Sequence, residues 1–385
     1  MVANGAEGEP ATFKDRALLR HDPYRVIEGV AIAALAVGAS EAYVATKRSF
    51  ARETEGLRRA TVELGEAGLL GDLVVTLVEG PDEYLFGEEK ALLEVIEGRE
   101  PLPRLLPPWQ HGLFATAAAG GWESETAGVT ARGDSNPTLV NNVETLASAT
   151  YVLARGADWF RSMGTADSPG TIIVTVVGDV ARPGVHEVEL GTPFAEVLDR
   201  CGWARPGRRL RAAFSGVSNP VLRVEDFDVP LTYEDLAARG SGLGAAGFAL
   251  YDDRADLLRV ARELSRFLAV ESCGQCPACK GGSLRITDHL AALEEGRGGH
   301  DLGALNAELR AVTDANRCFL GSGEQAVVSS VLRAFPEDVA AHLEGTAGSG
   351  PSPLVPLVKD LLPDGTVVYD ERHRRKRPDW TFAPG

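Results

Sequence analysis

The sequence predicts three domains in series: an open α/β sheet, a small β-grasp-like domain and a C-terminal helical bundle. Three observations predict it. Residues 1 to about 165 alternate between helix-period and strand-period patterns. From about 168 short strand patterns take over, with a single helix among them. After residue 246 four helical patterns follow one another. The expected boundaries are 1–165, 166–245 and 246–345, with a tail at 346–385. At 385 residues the chain is too long for one core.

The elements follow in order. "DPYRVIEGVAIAALAVGAS" reads as a helix with Asp22 as its cap, a proline in the first turn and a Gly near its end. "EAYVATKR" reads as a strand, "RETEGLRRATVELGEAGLL" as a helix and "DLVVTLVEG" as another strand, the order of an open α/β sheet. Residues 117–137 read as a long loop, and "LVNNVETLASATYVLARGADWF" returns to helix. "GTIIVTVVGDV", "GVHEVEL", "RAAFSG" and "VLRVEDFDVPL" read as the strands of the second domain, with the helix "PFAEVLDRCG" among them. "DLLRVARELSRFLAVES", "SLRITDHLAALEEG", "DLGALNAELRAVTDAN" and "EQAVVSSVLRAF" make the bundle. The basic run in the tail, "DERHRRKRPDW", reads as a solvated or partner-facing segment.

Composition removes several classes of function. A net charge of −16 argues against nonspecific binding to nucleic acid or an anionic membrane. No apolar run approaches the roughly 20 residues that span a bilayer. The first residues show neither the basic nor the apolar region of a secretory signal. Few, clustered cysteines suggest a reducing compartment and metal ligation rather than disulfides, so the cytoplasm is the expected location. The G-x-G-x-x-G at Gly242, Gly244 and Gly247 lacks the strand before and helix after that a dinucleotide fingerprint needs, so it reads as a connecting loop. The seven histidines are scattered without ligand spacing.

"ESCGQCPACKGG" places Cys273, Cys276 and Cys279 at an even spacing of three, just past a predicted helix. In a tight turn three such thiolates converge as a tripod, suited to three corners of a 4Fe–4S cube, and Cys318 in "ANRCFLGSG" is the candidate fourth ligand. Gly274, Gly281 and Gly282 are expected to let backbone approach the cluster, with a helix beginning near Gly282. Zinc is the chemical rival, but it usually takes paired C-x-x-C motifs, and a triple would leave one thiol idle. Three buried thiols without metal are a further alternative. Cys201 reads as a small core residue.

These motifs resemble the flavin- and NADH-binding 4Fe–4S subunit of respiratory complex I and its relatives in NAD-linked hydrogenases and formate dehydrogenases. The resemblance rests on "ESCGQCPACKGG" with "CFLG" at 318–321, and on "NGAEGEPATFKDR", "YLFGEEKAL" and "NPTLVNNVETLA" in the same order. It implies an FMN-binding-like α/β domain, a β-grasp domain of the soluble-ligand-binding type and a 4Fe–4S helical bundle. The implied activity is hydride transfer from NAD(P)H or another two-electron donor to FMN, then single electrons through the cluster. The implied acceptor is a thioredoxin-like 2Fe–2S subunit or a ferredoxin, in a larger redox complex at the cytoplasmic face of a membrane. Carried over by motif, Asn4 and Glu7 line the flavin and nicotinamide pocket, and Glu9 and Glu89 are the catalytic carboxylates. Tyr84, Gly87 and Glu88 form the loop where flavin and nicotinamide meet, and Asn141, Asn142 and Thr145 contact the flavin at a helix start. From the residues alone, Glu88–Glu89 also reads as a solvated helix start and Asn141–Asn142 as a cap.

The chain also departs from the family pattern. It has no "GRGGAGFPTG"-like loop, so an N-terminally incomplete flavin domain is expected, with its first residues in a central strand. Ala6 stands where relatives carry an aspartate, Leu106 where a lysine is usual, and Trp109, Phe86 and Lys90 replace other family residues. A second reading follows: a 4Fe–4S electron-transfer or docking subunit without its own flavin or dehydrogenase activity.

Overall fold

In the computed structural model, residues 1–116, 134–296, 302–348, 350 and 353–384 are described. Most of the expected loop at 117–137 lies outside them. The chain divides into two units, Met1–Gly8 with Asp15–Phe160, and Glu9–Lys14 with Arg161–Gly385.

The first unit is built on four parallel strands. β1 (Val2–Asn4), β2 (Glu41–Lys47), β3 (Val74–Gly80) and β4 (Val140–Asn142) stand in the order β3-β2-β1-β4. The helices α1 (Lys14–His21), α2 (Pro23–Val37), α3 (Ala51–Glu66), α4 (Glu89–Ile96), α5 (Val143–Arg155) and α6 (Ala157–Arg161) fall between and after them. Asp22 caps α2 by accepting the Arg25 N–H at 3.1 Å, and Gly38 ends it in the left-handed conformation at φ 68°. Both signals were visible in the sequence. Val26, Ile27 and Val30 of α2 pack with Leu146 of α5 in one buried apolar cluster. Gly29 permits that approach, because a Cβ there would lie 2.1 Å from the Leu146 carbonyl oxygen. Gly29→Ala must therefore push the helices apart. A loss of about 1–3 kcal/mol is expected in urea unfolding, the usual cost of overpacking.

In the second unit β5 (Thr171–Gly178), β6 (Gly184–Glu189), β7 (Leu210–Ser215), β8 (Leu222–Arg223) and β9 (Gly247–Asp252) form a sheet of order β6-β5-β9-β7-β8. β5 and β9 are parallel and the other pairs antiparallel. α7 (Phe194–Cys201) buries Phe194 against Phe227 and Phe248, with ring centroids at 5.4 and 4.4 Å. Cys201 is fully buried in this core, as expected, and burial pushes its thiol up to about 11. Three details differ from the sequence reading. The sheet runs on to Asp252, past the boundary drawn at 245, because β9 is a central strand. The stretch "VLRVEDFDVPL" pairs over only Leu222–Arg223. A second, short helix, α8 (Tyr233–Ala238), joins α7. The Gly242–Gly247 stretch is a loop leading into β9.

The helices α9 (Leu257–Glu271), α10 (Pro277–Glu294), α11 (Leu302–Ala311), α12 (Leu320–Ala334) and α13 (Pro336–Leu343) follow. Leu258, Ile286, Leu290, Leu305 and Val328 make their shared core. α10 starts at Pro277, not near Gly282. Proline is preorganised for the first helical position, so Cys279 and both glycines lie inside the helix. Gly282 serves packing there, with its Cβ position 3.1 Å from Val312.

The tail is not a solvated appendage. β10 (Val358–Leu361) and β11 (Val367–Tyr369) form an antiparallel hairpin, and residues 371–383 strap the junction between α9 and α10. The Glu271 carboxylate, only 2% exposed, accepts from Lys376 Nζ at 2.7 Å and lies 2.9 Å from His373 Nε2. Arg266 donates to the carbonyls of Arg374 and Lys376, and Trp380 Nε1 to that of Val270. Burial alone would raise Glu271, yet the His373 hydrogen bond and the Lys376 charge hold it down to about 2. Lys376→Met leaves that carboxylate buried with one partner removed. A loss of about 3–5 kcal/mol in thermal or urea unfolding is expected.

Candidate metal centre and flavin edge

The cysteine motif is positioned by two helix N-termini. Cys276 is the N-cap of α10, Cys279 lies in that helix's first turn, and Gly274 turns the chain between them and Cys273 at φ 82°. Cys318 stands two residues before α12. Both helices thus aim their positive ends at thiols, which favours thiolate. The Arg317 N–H points at Cys276 Sγ at 3.3 Å, and its guanidinium donates to Gln275 Oε1 at 2.9 Å. These contacts seat the turn carrying Cys318 on the turn carrying the other three. Ser272 Oγ lies 3.4 Å from Cys279 Sγ, and Gln275 Nε2 lies 3.6 Å from Cys273 Sγ.

The turn leaves no room for larger side chains. A Cβ on Gly321 would stand 2.2 Å from Asn316 Nδ2 and 2.6 Å from the Val312 carbonyl oxygen. Among the described residues no three His, Cys, Asp or Glu side chains close round one point as a single-ion site requires.

The donor set fits an iron–sulfur cluster. The five cysteines form no disulfide. Burial raises the Cys279 thiol, the Ser272 hydrogen bond opposes this, and the neighbouring Cys276 and Cys273 raise it further. Soft sulfur donors gathered on one turn suit an iron–sulfur centre, and backbone and side-chain N–H groups already point at two of the sulfurs.

Three supporting residues escaped the sequence reading. Lys280 Nζ donates to the carbonyls of Ala269 and Ser272, bracing the end of α9. Arg317 supplies the N–H to Cys276. Glu324 of α12 is fully buried with Ser265 as its donor, and burial raises it well above the usual carboxylate range. Arg317 and Lys280 each adjoin a motif cysteine in sequence, which was a usable signal; the pairing of Glu324 with Ser265 is long-range.

The first unit offers a different kind of site. All four strands run the same way, so Asn4, Lys47, Gly80 and Asn142 end on one edge of the sheet. β1 leads to β2 on one side and has β4 on the other, and ligands of open α/β sheets bind at such a switch. Asn142 spans it. Its amide donates to the Asn4 carbonyl at 3.2 Å and to Asp15 Oδ2 at 3.0 Å, while its Oδ1 caps α5 by accepting the Glu144 N–H. Asn4 Nδ2 donates to the Gly87 carbonyl at 2.8 Å and its Oδ1 accepts the Ala6 N–H. Asn141 Oδ1 accepts the Asn142 N–H, and Thr145 is exposed one turn on.

The Tyr84–Gly87 turn follows β3. A Cβ on Gly87 would lie 2.9 Å from the Ala6 carbonyl oxygen, and one on Gly8 would lie 2.7 Å from Lys47 Nζ. Glu88 caps α4 by accepting the N–H groups of Lys90 and Ala91; burial raises it. Glu89 is half-buried in the first turn. Glu7 is buried, pairs with Arg16 at 2.9 Å and accepts the Asp15 N–H. Amide donors, narrow glycine gaps and a helix N-terminus suit a flavin phosphate and ring. Lys47, at the end of "EAYVATK", is an addition to the residues expected.

Glu9 is placed otherwise. It belongs to the second unit, where its Oε1 accepts the Val217 N–H at 2.6 Å. Of the two carboxylates expected to be catalytic, this one holds the turn after β7 through that bond.

Comparison with known proteins finds three family matches along the chain. Residues 1–150 match the Nuo51 FMN-binding domain, 173–218 the SLBB domain, and 259–342 the NADH-ubiquinone oxidoreductase-F iron-sulfur binding region. The NADH-quinone oxidoreductase F subunit of Mycobacterium tuberculosis is 36% identical over 375 residues, 95% of this chain and 79% of that protein. Its Streptomyces coelicolor counterpart is 36% identical over 357 residues, 90% of this chain and 75% of that protein. The alpha subunit of the NAD-reducing hydrogenase HoxS of Cupriavidus necator is 34% identical over 350 residues, 88% of this chain and 53% of that protein.

The crystal structure of an NAD+-reducing [NiFe]-hydrogenase in the H2-reduced state superposes with a TM-score of 0.77 at 30% identity. It covers 89% of this chain, which spans 56% of the hydrogenase chain. The class is thus a mixed α/β and helical protein with flavin and iron–sulfur regions. The chain belongs to the family of NADH-quinone oxidoreductase F subunits.

Gly321→Ala keeps all four thiols but cannot keep their turn. We expect at least a roughly fivefold drop in iron and sulfide per chain after anaerobic reconstitution, with far-UV circular dichroism near that of the parent.

Proposed function

We propose that this chain is an NADH dehydrogenase-type subunit that takes a hydride at FMN and passes electrons singly through a 4Fe–4S cluster held by Cys273, Cys276, Cys279 and Cys318. The observation that carries the reading is the Arg317 N–H on Cys276, which draws the fourth cysteine's turn onto the other three. When bound, FMN supplies the conversion from two-electron to one-electron chemistry, and the cluster supplies one-electron transfer. The protein binds and orients. Asn4 and Asn142 fix the strand ends at the sheet switch, and the start of α5 with Asn141 offers donors to a phosphate. Glu88 locks the turn at Gly87 by accepting two backbone N–H groups, and Glu89 follows it in the first turn of α4. Glu7, neutralised by Arg16, keeps the β1 end rigid.

The acceptor is an iron–sulfur protein, a thioredoxin-like 2Fe–2S subunit or a ferredoxin, within a larger redox complex. The family resemblance supports a place at the cytoplasmic face of that complex. No helix among the described residues is long and apolar enough to cross a membrane. Ala6 and Leu106 favour a second reading, in which the flavin edge only docks a partner.

Flavin content and turnover decide between them. Purified chain carrying FMN near unit stoichiometry and reducing an artificial acceptor with NADH supports dehydrogenase function, and Asn142→Ala should lower flavin occupancy at least about tenfold. A chain that holds a cluster but no flavin sinks the first reading in favour of the second.

A further inference from the structure

The strap at 371–383 presents positive charge on a strongly acidic molecule. Five of the six residues from Arg372 to Arg377 are Arg or Lys, in a chain of net charge −16. Arg372 pairs with Asp370 at 2.6 Å and Lys376 with Glu271. Arg374, Arg375 and Arg377 are exposed, and Arg266 lies behind them. These arginines border a cleft of about 360 Å³ between α9, α10 and the strap, which also holds Asp288. Asp370, Glu371 and Asp379 are further acids nearby, and Asp370 is already paired with Arg372. The balance stays positive.

The patch is rigidly placed. Arg266 grips the strap's carbonyls, Trp380 bonds the end of α9, and the Lys280 ammonium donates at 2.7 Å both to the Pro378 carbonyl and to the Ser272 carbonyl beside Cys273. One lysine side chain thus separates the basic strap from the segment that carries the cluster ligands. Oppositely charged surfaces steer redox proteins together and raise association rates by roughly 10 to 1,000-fold, an effect that salt removes.

We propose that Arg374, Arg375 and Arg377 form the docking surface for a small acidic iron–sulfur protein that exchanges electrons with the cluster. This rests on the cluster assignment in the proposed function and names the face at which the partner sits. The step moves one electron from the reduced partner to the oxidised cluster, or the reverse, with no bond made or broken.

The test uses the reconstituted full chain, mixed in stopped flow with a reduced acidic 2Fe–2S ferredoxin or with a reduced zwitterionic viologen of no net charge. Ferredoxin should react with a rate constant that falls steeply with salt. Arg374→Glu/Arg375→Glu/Arg377→Glu should lower that constant at least about tenfold at low salt and flatten its salt dependence, with the viologen rate and the cluster's electron paramagnetic resonance spectrum unchanged. The triple Arg→Gln variant should fall between. Unchanged ferredoxin rates and salt slope in the charge-reversed chain overturn the proposal. So does an equal loss with viologen, which would place the fault in the cluster. A parent chain without a cluster signal fails the proposed function itself, before any partner is added.

Discussion

Seating two cysteine-bearing turns against each other is the constraint around which the helices α9 to α13 are arranged. Helix N-termini are among the few neutral devices that favour a thiolate, and two of them, those of α10 and α12, begin at the cysteines. Bringing the two together requires close backbone approach, which Gly321 permits at the Asn316–Val312 turn and Gly282 at Val312. The Arg317 N–H to Cys276 then ties the late turn to the early one. The supports follow outward from there: Lys280 braces the end of α9, and the strap braces Lys280 and Glu271 in turn.

The first unit answers a different demand. A ligand with a phosphate and a flat ring needs donors at one end and close backbone at the other. Parallel strands supply both by ending together, so that Asn4, Lys47, Gly80 and Asn142 share one edge although they lie far apart in sequence. Asn142 caps a helix and bridges two strands at once, so the capping reading and the binding reading of this residue are compatible.

What was legible in the sequence was local. Asp22 and Gly38 bounded α2, the alternation of helix and strand patterns gave the open α/β sheet, and the cysteine spacing pointed to an iron–sulfur centre over zinc. What was illegible depended on distant partners. Two adjacent glycines suggested the start of a helix, but a glycine is tolerated inside one when another segment packs against it, as Val312 packs against Gly282. The loop at Gly242–Gly247 hid the fact that the strand after it completes the sheet. The basic tail read as a solvated or partner-facing segment, and its arginines are exposed; the anchoring of Lys376 was illegible because its buried counter-charge, Glu271, lies about a hundred residues earlier. The motif around Glu9 gave no sign that its carboxylate accepts the Val217 N–H, because that donor lies far on in the sequence.

Metal content of the purified, anaerobically reconstituted chain tests the account most directly. Four iron and four sulfide per chain, with a single reduced cluster signal that Cys318→Ser abolishes or alters, is the result the geometry requires. One tightly held zinc, or a cluster spectrum indifferent to Cys318, would contradict it.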